Sequence, residues 1–140
     1  MRLPAPESGL VIRYDYLWAR EVKKGKTSGK VRPACLAFVS DETKSPRFVV
    51  LLPITHSPPS GGSVGIEIPK AVCEHLGLDE ARSWIIVSEF NVDDWPNAGI
   101  SPVPGKRGFA YGFIPPKLFG AIKERFQELV EAGRAKSVRR

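Results

Sequence analysis

A chain of 140 residues, 42% hydrophobic and 26% charged, holds enough apolar material for one core and too much for a disordered tail, so a single domain is predicted. Thirteen Gly and thirteen Pro punctuate it too densely for a helical bundle and favour short strands joined by tight loops. A formal charge of +6 with a pI near 9.5 admits a polyanionic partner but is equally met by a solvated basic surface, since part of it lies in Arg134, Lys136, Arg139 and Arg140.

Residues 1–8 read as an N-terminal extension without an apolar signal region, predicted to be flexible. Gly9 to Leu17, GLVIRYDYL, is rich in β-branched and aromatic side chains and reads as the first strand. The following AREVKKGKTSGK has nothing to bury and is predicted to be a long, mobile, basic loop, with Lys24, Lys26 and Lys30 as candidate contacts to a polyanion. Val31 to Ser40 and Arg47 to Ile54 are apolar runs flanking the turn DETKSP and together predict a central hairpin. The near-continuous FVVLLPI suggests burial on both faces.

After the loop THSPPSGGS, Val64 to Ile68 alternates as a short strand. Pro69 then opens a helix, PKAVCEHLGL, with Ala71, Val72, Leu76 and Leu78 on its apolar face and Gly77 ending it. Ser83 to Phe90 reads as a strand, NVDDWPNAGISPVPGKRG as a loop and FAYGFIP as a last strand. Lys117 to Ala132 carries Leu118, Ile122, Phe126, Leu129 and Val130 at helical spacing and predicts a C-terminal helix. Residues 134–140 are predicted to be a flexible basic tail. Six short strands, one small inserted helix and a C-terminal helix packed outside describe a mainly β domain of the small SH3-like barrel class. Cys35 and Cys73 read as reduced core thiols, and no apolar stretch approaches the ~20 residues of a membrane span, so a cytoplasmic protein is expected.

Three places concentrate reactive groups. At Gly29-Lys30-Val31-Arg32-Pro33 a basic loop enters a buried strand, where Arg32 can offer a planar fork of donors to phosphate or merely pair with a carboxylate. At Pro53-Ile54-Thr55-His56-Ser57 a hydroxyl and an imidazole stand at a strand end; alone this reads as a loop cap, and its weight as a site depends on Arg32 lying beside it. At Ser88-Glu89-Phe90-Asn91, Glu89 can act as a general base or orient Arg32, Asn91 can contact RNA, and Trp95 can stack on a base or anchor its loop, while Asp93 and Asp94 are as well explained by loop solvation. His56 and His75 lack partners at metal-ligand spacing, and no P-loop, GxGxxG or GxSxG turn is present, so chemistry without metal or cofactor is predicted. RNA cleavage permits this, because the ribose 2′-OH is an internal nucleophile.

The order GLVIRYDY, a basic loop into GKVRPACLAFVS, then VVLLPITHS resembles the MazF/PemK toxins, endoribonucleases of bacterial toxin–antitoxin systems. The resemblance rests on Arg32-Pro33 at the start of one strand and Pro53-Ile54-Thr55 at the end of the next, and runs from about Gly9 to the C-terminal helix. It implies an SH3-like barrel, a homodimer, metal-independent cleavage of single-stranded mRNA to a 2′,3′-cyclic phosphate, and inhibition by a cognate antitoxin protein. It further implies that Arg32 stabilises the phosphorane and Thr55 holds or polarises the phosphate; the leading hypothesis built on it gives proton transfer to His56 or Glu89 and counts Ser57 among the RNA contacts. The family's Gly-Asp is Gly9-Leu10 here, and its later Asp-Gln is Ser88-Glu89, which marks a divergent branch. A non-catalytic module on the same barrel is the alternative; a gyrase poison of a related barrel family is the third, since such proteins need not carry the Arg-Pro and Pro-x-Thr pair.

Overall fold

The computed structural model describes residues 2–79 and 81–140. In chain order they form β1 (Leu10–Tyr16), α1 (Ala19–Lys23), β2 (Lys30–Val39), β3 (Arg47–Thr55), β4 (Gly65–Ile68), α2 (Lys70–Leu76), β5 (Ser83–Ile86), β6 (Glu89–Trp95), β7 (Ile100–Ser101), β8 (Ala110–Phe113), α3 (Pro116–Glu131) and β9 (Lys136–Arg139). The chain is mainly β, and the strands make one sheet that does not close on itself. Its path runs β4-β5-β3-β2-β1-β7, with β8 also on β1.

The sheet forks at β3. One edge of Arg47–Leu51 pairs with β6, whereas Ile54 and Thr55 pair with Ile85 and Trp84 of β5. All pairs are antiparallel except β6 with β9. Both faces of the central strands are buried, as near-continuous apolar runs require. On one face α2 and α3 bring Cys73, Leu76, Ile122, Phe126 and Leu129 against Val11, Cys35 and Leu52. On the other, Tyr14, Tyr16 and Trp18 pack with Leu36, Leu51 and Trp95.

The predicted central hairpin forms as β2 and β3. The helix predicted from Pro69 runs Lys70–Leu76 and stops at Gly77, whose φ of 68° is the left-handed geometry a glycine supplies at no steric cost. Cys73 and Leu76 are buried, Val72 and Leu78 pack partly buried against the same core, and Ala71 is exposed. α3 buries Ile122, Phe126 and Leu129, while Val130 is exposed. Both cysteines are free and buried, and burial pushes the Cys35 thiol up to about 12.

Three expectations are corrected. The basic loop opens with α1, because Glu21 reaches back to the Trp18 backbone N–H (3.0 Å) and supplies a helix start. Ser83 to Phe90 is two strands, β5 and β6, and the second continues through Asn91 to Trp95, in what reads from sequence as a loop. Residues 136–139 form β9 rather than a flexible tail, with Val138 buried. Residues 2–7 form neither helix nor strand; Met1 of that extension lies outside the described residues. No described helix is long and apolar enough to cross a membrane.

Candidate functional site

The antiparallel register that sets Ala34 opposite Pro53, continued two residues toward the strand ends, sets Arg32 opposite Thr55. Both side chains line one open cavity of about 400 Å³. Lys30 joins them from the start of β2 and His56 from the end of β3, while β1 and β8 contribute Arg13 and Tyr111. Among the described residues, Arg13, Lys30 and Arg32 face a single lining carboxylate, Asp79. Such a balance favours an anion.

Arg32 makes no hydrogen bond or ion pair among the described residues, and its Nε is shielded from solvent without a partner. Its guanidinium lies 5.3 Å from the Trp18 ring, whose other cationic neighbour is Arg20 at 4.6 Å. Burial pushes Arg32 below the ordinary arginine value, and the nearby Glu21 carboxylate works against that shift. Arginine keeps its charge regardless, so the site holds a partly desolvated cation with free donors. Thr55 Oγ1 accepts the Ser57 N–H at 3.2 Å, which fixes the hydroxyl oxygen and leaves its hydrogen available to an acceptor in the cavity.

Chain comparison adds no outside assignment. No family model and no curated protein matches this sequence.

His56 is at the site, but its ring is committed to the protein. Nδ1 lies 3.1 Å from the Arg82 carbonyl and 3.2 Å from Ser83 Oγ, and Nε2 lies 2.8 Å from Asp79 Oδ2. Ser83 Oγ itself donates to the Ala81 carbonyl at 3.3 Å. These contacts tie the end of β3 to the segment after α2.

Glu89 lies outside the cavity. Its Oε2 accepts the Tyr16 hydroxyl at 3.1 Å and the Ala19 N–H at 2.9 Å, which locks β6 to the corner between β1 and α1. Burial raises its carboxyl above the usual range, opposed by those hydrogen bonds. The expected general base therefore serves the fold.

Asn91 is fully buried and spans the Leu17 backbone, accepting from its N–H at 3.0 Å and donating to its carbonyl at 2.8 Å. Trp95 is buried in the core with Leu51 and Val49. Neither presents a surface to RNA, so both expected contacts are corrected. Lys24 is exposed just past α1, and Lys26 lies 3.7 Å from Glu21 in a separate cavity with Thr27 and Arg139. Ser57 is exposed beside the site and touches it only through Thr55. Of the basic loop, Lys30 alone lines the Arg32 cavity.

Arg13 and Tyr111 were invisible to motif reading because neither belongs to a recognisable spacing. Arg13 alone carried a signal: it is a cation inside an otherwise apolar and aromatic strand, and a half-buried charge of that kind requires a partner. The partner is the Tyr111 hydroxyl, which accepts from Arg13 Nη1 at 3.2 Å.

Proposed function

We propose that the chain is a metal-independent endoribonuclease of the MazF/PemK kind, the toxin of a toxin–antitoxin pair, acting on single-stranded RNA. The observation that carries this reading is the meeting of Arg32 and Thr55, from paired strands, in one open cavity with Arg13 and Lys30. A phosphodiester placed there meets an unpaired guanidinium, a hydroxyl hydrogen and two further cations. Those groups suit the extra charge and crowding of a phosphorane better than they suit the ground-state diester. The 2′-oxygen then displaces the 5′-oxygen and a 2′,3′-cyclic phosphate remains. On the same reading the open sheet with α3 on its outer face is an SH3-like barrel, the active form is a cytoplasmic homodimer, and a cognate antitoxin covers the cationic cavity.

A second reading is favoured by one specific observation: the two proton carriers named from the sequence, His56 and Glu89, are both bound up in structural contacts. That leaves a non-catalytic module binding a nucleic-acid backbone through the same cations. Incubating the protein with single-stranded RNA in EDTA and analysing the new ends separates the two. Cyclic-phosphate ends that vanish in Arg32→Ala support the nuclease; salt-sensitive RNA binding without scission supports the module.

A further inference from the structure

Besides Thr55, the cavity is lined by a phenol hydroxyl, that of Tyr111, whose surroundings leave its hydrogen free. Tyr111 stands on β8, half-buried, and reaches the cavity from the side opposite β3. β8 is fixed there by the register that sets Ile12 opposite Ala110, and by the Arg13 N–H donating to the Phe109 carbonyl at 3.2 Å. The side chains of the same two strands meet again where Arg13 Nη1 donates to the Tyr111 hydroxyl oxygen at 3.2 Å. An arginine N–H can only donate, so the phenol oxygen is the acceptor in that bond and its own hydrogen remains for another acceptor.

The ring is held from a second direction. The Lys106 ammonium lies 5.8 Å from the ring centroid and donates to the carbonyls of Tyr111 at 3.2 Å and Leu76 at 3.1 Å. Lys106 thus binds the strand bearing Tyr111 to the end of α2, which also lines the cavity through Gly77 and Leu78. A phenol pinned at its oxygen by one cation and beneath its ring by another has little freedom to swing out of the site.

Resting on the endoribonuclease reading, we propose that Tyr111 is the general acid of this site and that Arg13 is its positioning residue. In the step so catalysed, the bond from the 2′-oxygen to phosphorus forms and the bond from phosphorus to the 5′-oxygen breaks. The 2′-hydroxyl proton passes to water, the departing 5′-oxygen takes the Tyr111 proton, and water reprotonates the phenolate. Arg32 and Thr55 hold the phosphate from one side while Tyr111 meets the leaving group from the other.

The test compares Tyr111→Phe with the wild-type protein on two single-stranded oligoribonucleotides, one ordinary and one with sulfur replacing the 5′-bridging oxygen at the cleaved bond. A thiolate leaves without protonation, so loss of a general acid harms only the ordinary substrate. Loss of about 100-fold or more on the ordinary substrate and under about 10-fold on the sulfur substrate is expected, within the usual range for a positioned acid. Arg13→Met, which keeps the stem and removes the donor, is expected to show the same inequality to a smaller degree, and it carries the test if Tyr111→Phe fails to give a native circular dichroism spectrum. Equal losses on both substrates, or ordinary cleavage within a few-fold of wild type, overturn the assignment while the nuclease stands. A wild-type protein that cleaves neither oligonucleotide removes the nuclease reading and this proposal with it.

Discussion

Arg32 sits where a charge is costly and its donors are unspent, a combination that makes the shape of the cation matter as well as its sign. Arg32→Lys keeps the charge but loses the planar fork that lies 5.3 Å from the Trp18 ring. It is expected to lower cleavage by at least about tenfold, while the thermal midpoint, read by circular dichroism, stays near wild type. Glu89 makes a prediction of a different kind. Its carboxyl is raised in the folded protein, chiefly by burial, so the folded state holds the proton more tightly than the unfolded chain does. The stabilising contribution is therefore present at pH below the usual glutamate range and is lost as pH rises through the raised value. Urea unfolding across that window should show this slope in the wild type, and Glu89→Gln should lack it; equal slopes would show that Glu89 is not its source. Asn91→Ala leaves the Leu17 N–H and carbonyl buried without partners and is expected to cost about 2–4 kcal/mol in urea unfolding.

Among the elements, β6 explains why so much of the third candidate region read as loop. Glu89, Asn91 and Asp93 alternate along it, and polar residues at alternate positions usually mark a solvated face. Here that face meets the Tyr16 hydroxyl, the Leu17 backbone and the Tyr14 hydroxyl, the last donating to Asp93 at 2.7 Å. Those partners lie more than 70 residues away in sequence, beyond any local pattern. The strand ends that carry Arg32 and Thr55 were legible, because continuous apolar runs bounded by turn residues define β2 and β3 without tertiary help. One glycine guards their start: a Cβ on Gly29 would lie 2.0 Å from the Tyr16 carbonyl oxygen. Gly29→Ala should force β1 and β2 apart and lower the thermal midpoint by several degrees, and an unchanged melt would refute that close approach. α3, the clearest helix in the sequence, contributes through one stripe, and Phe126→Ala is expected to cost about 3–5 kcal/mol.

At the scale of the whole molecule, the C-terminal strand changes what the basic charge means. Arg139 pairs with Asp94 at 2.7 Å, and Arg140 donates to the Tyr14 hydroxyl at 3.3 Å and to Asn91 Oδ1 at 3.2 Å, with Asp15 Oδ2 3.7 Å away. Cations that look like a polyelectrolyte tail are spent on joining β9 to β6 and β1. Removing residues 136–140 exposes an edge of β6 and unpacks Val138, so the shortened chain is expected to melt at a lower temperature and to exchange the β6 amides faster. Unchanged protection of those amides would show that β9 contributes nothing to the sheet.

By itself the sequence determined the mainly β character, the β2–β3 hairpin, both longer helices and the placing of Arg32 and Thr55 at neighbouring strand ends, because periodicity, turn residues and apolar runs act over short stretches of chain. The tertiary structure alone decided that β3 forks, that residues 136–139 form a strand, that His56, Glu89 and Asn91 are held by the fold, and that Arg13 and Tyr111 enter the cavity. Those outcomes depend on which distant donor meets which acceptor, and a side chain's chemistry states what it can bind without stating what the fold will bring to it.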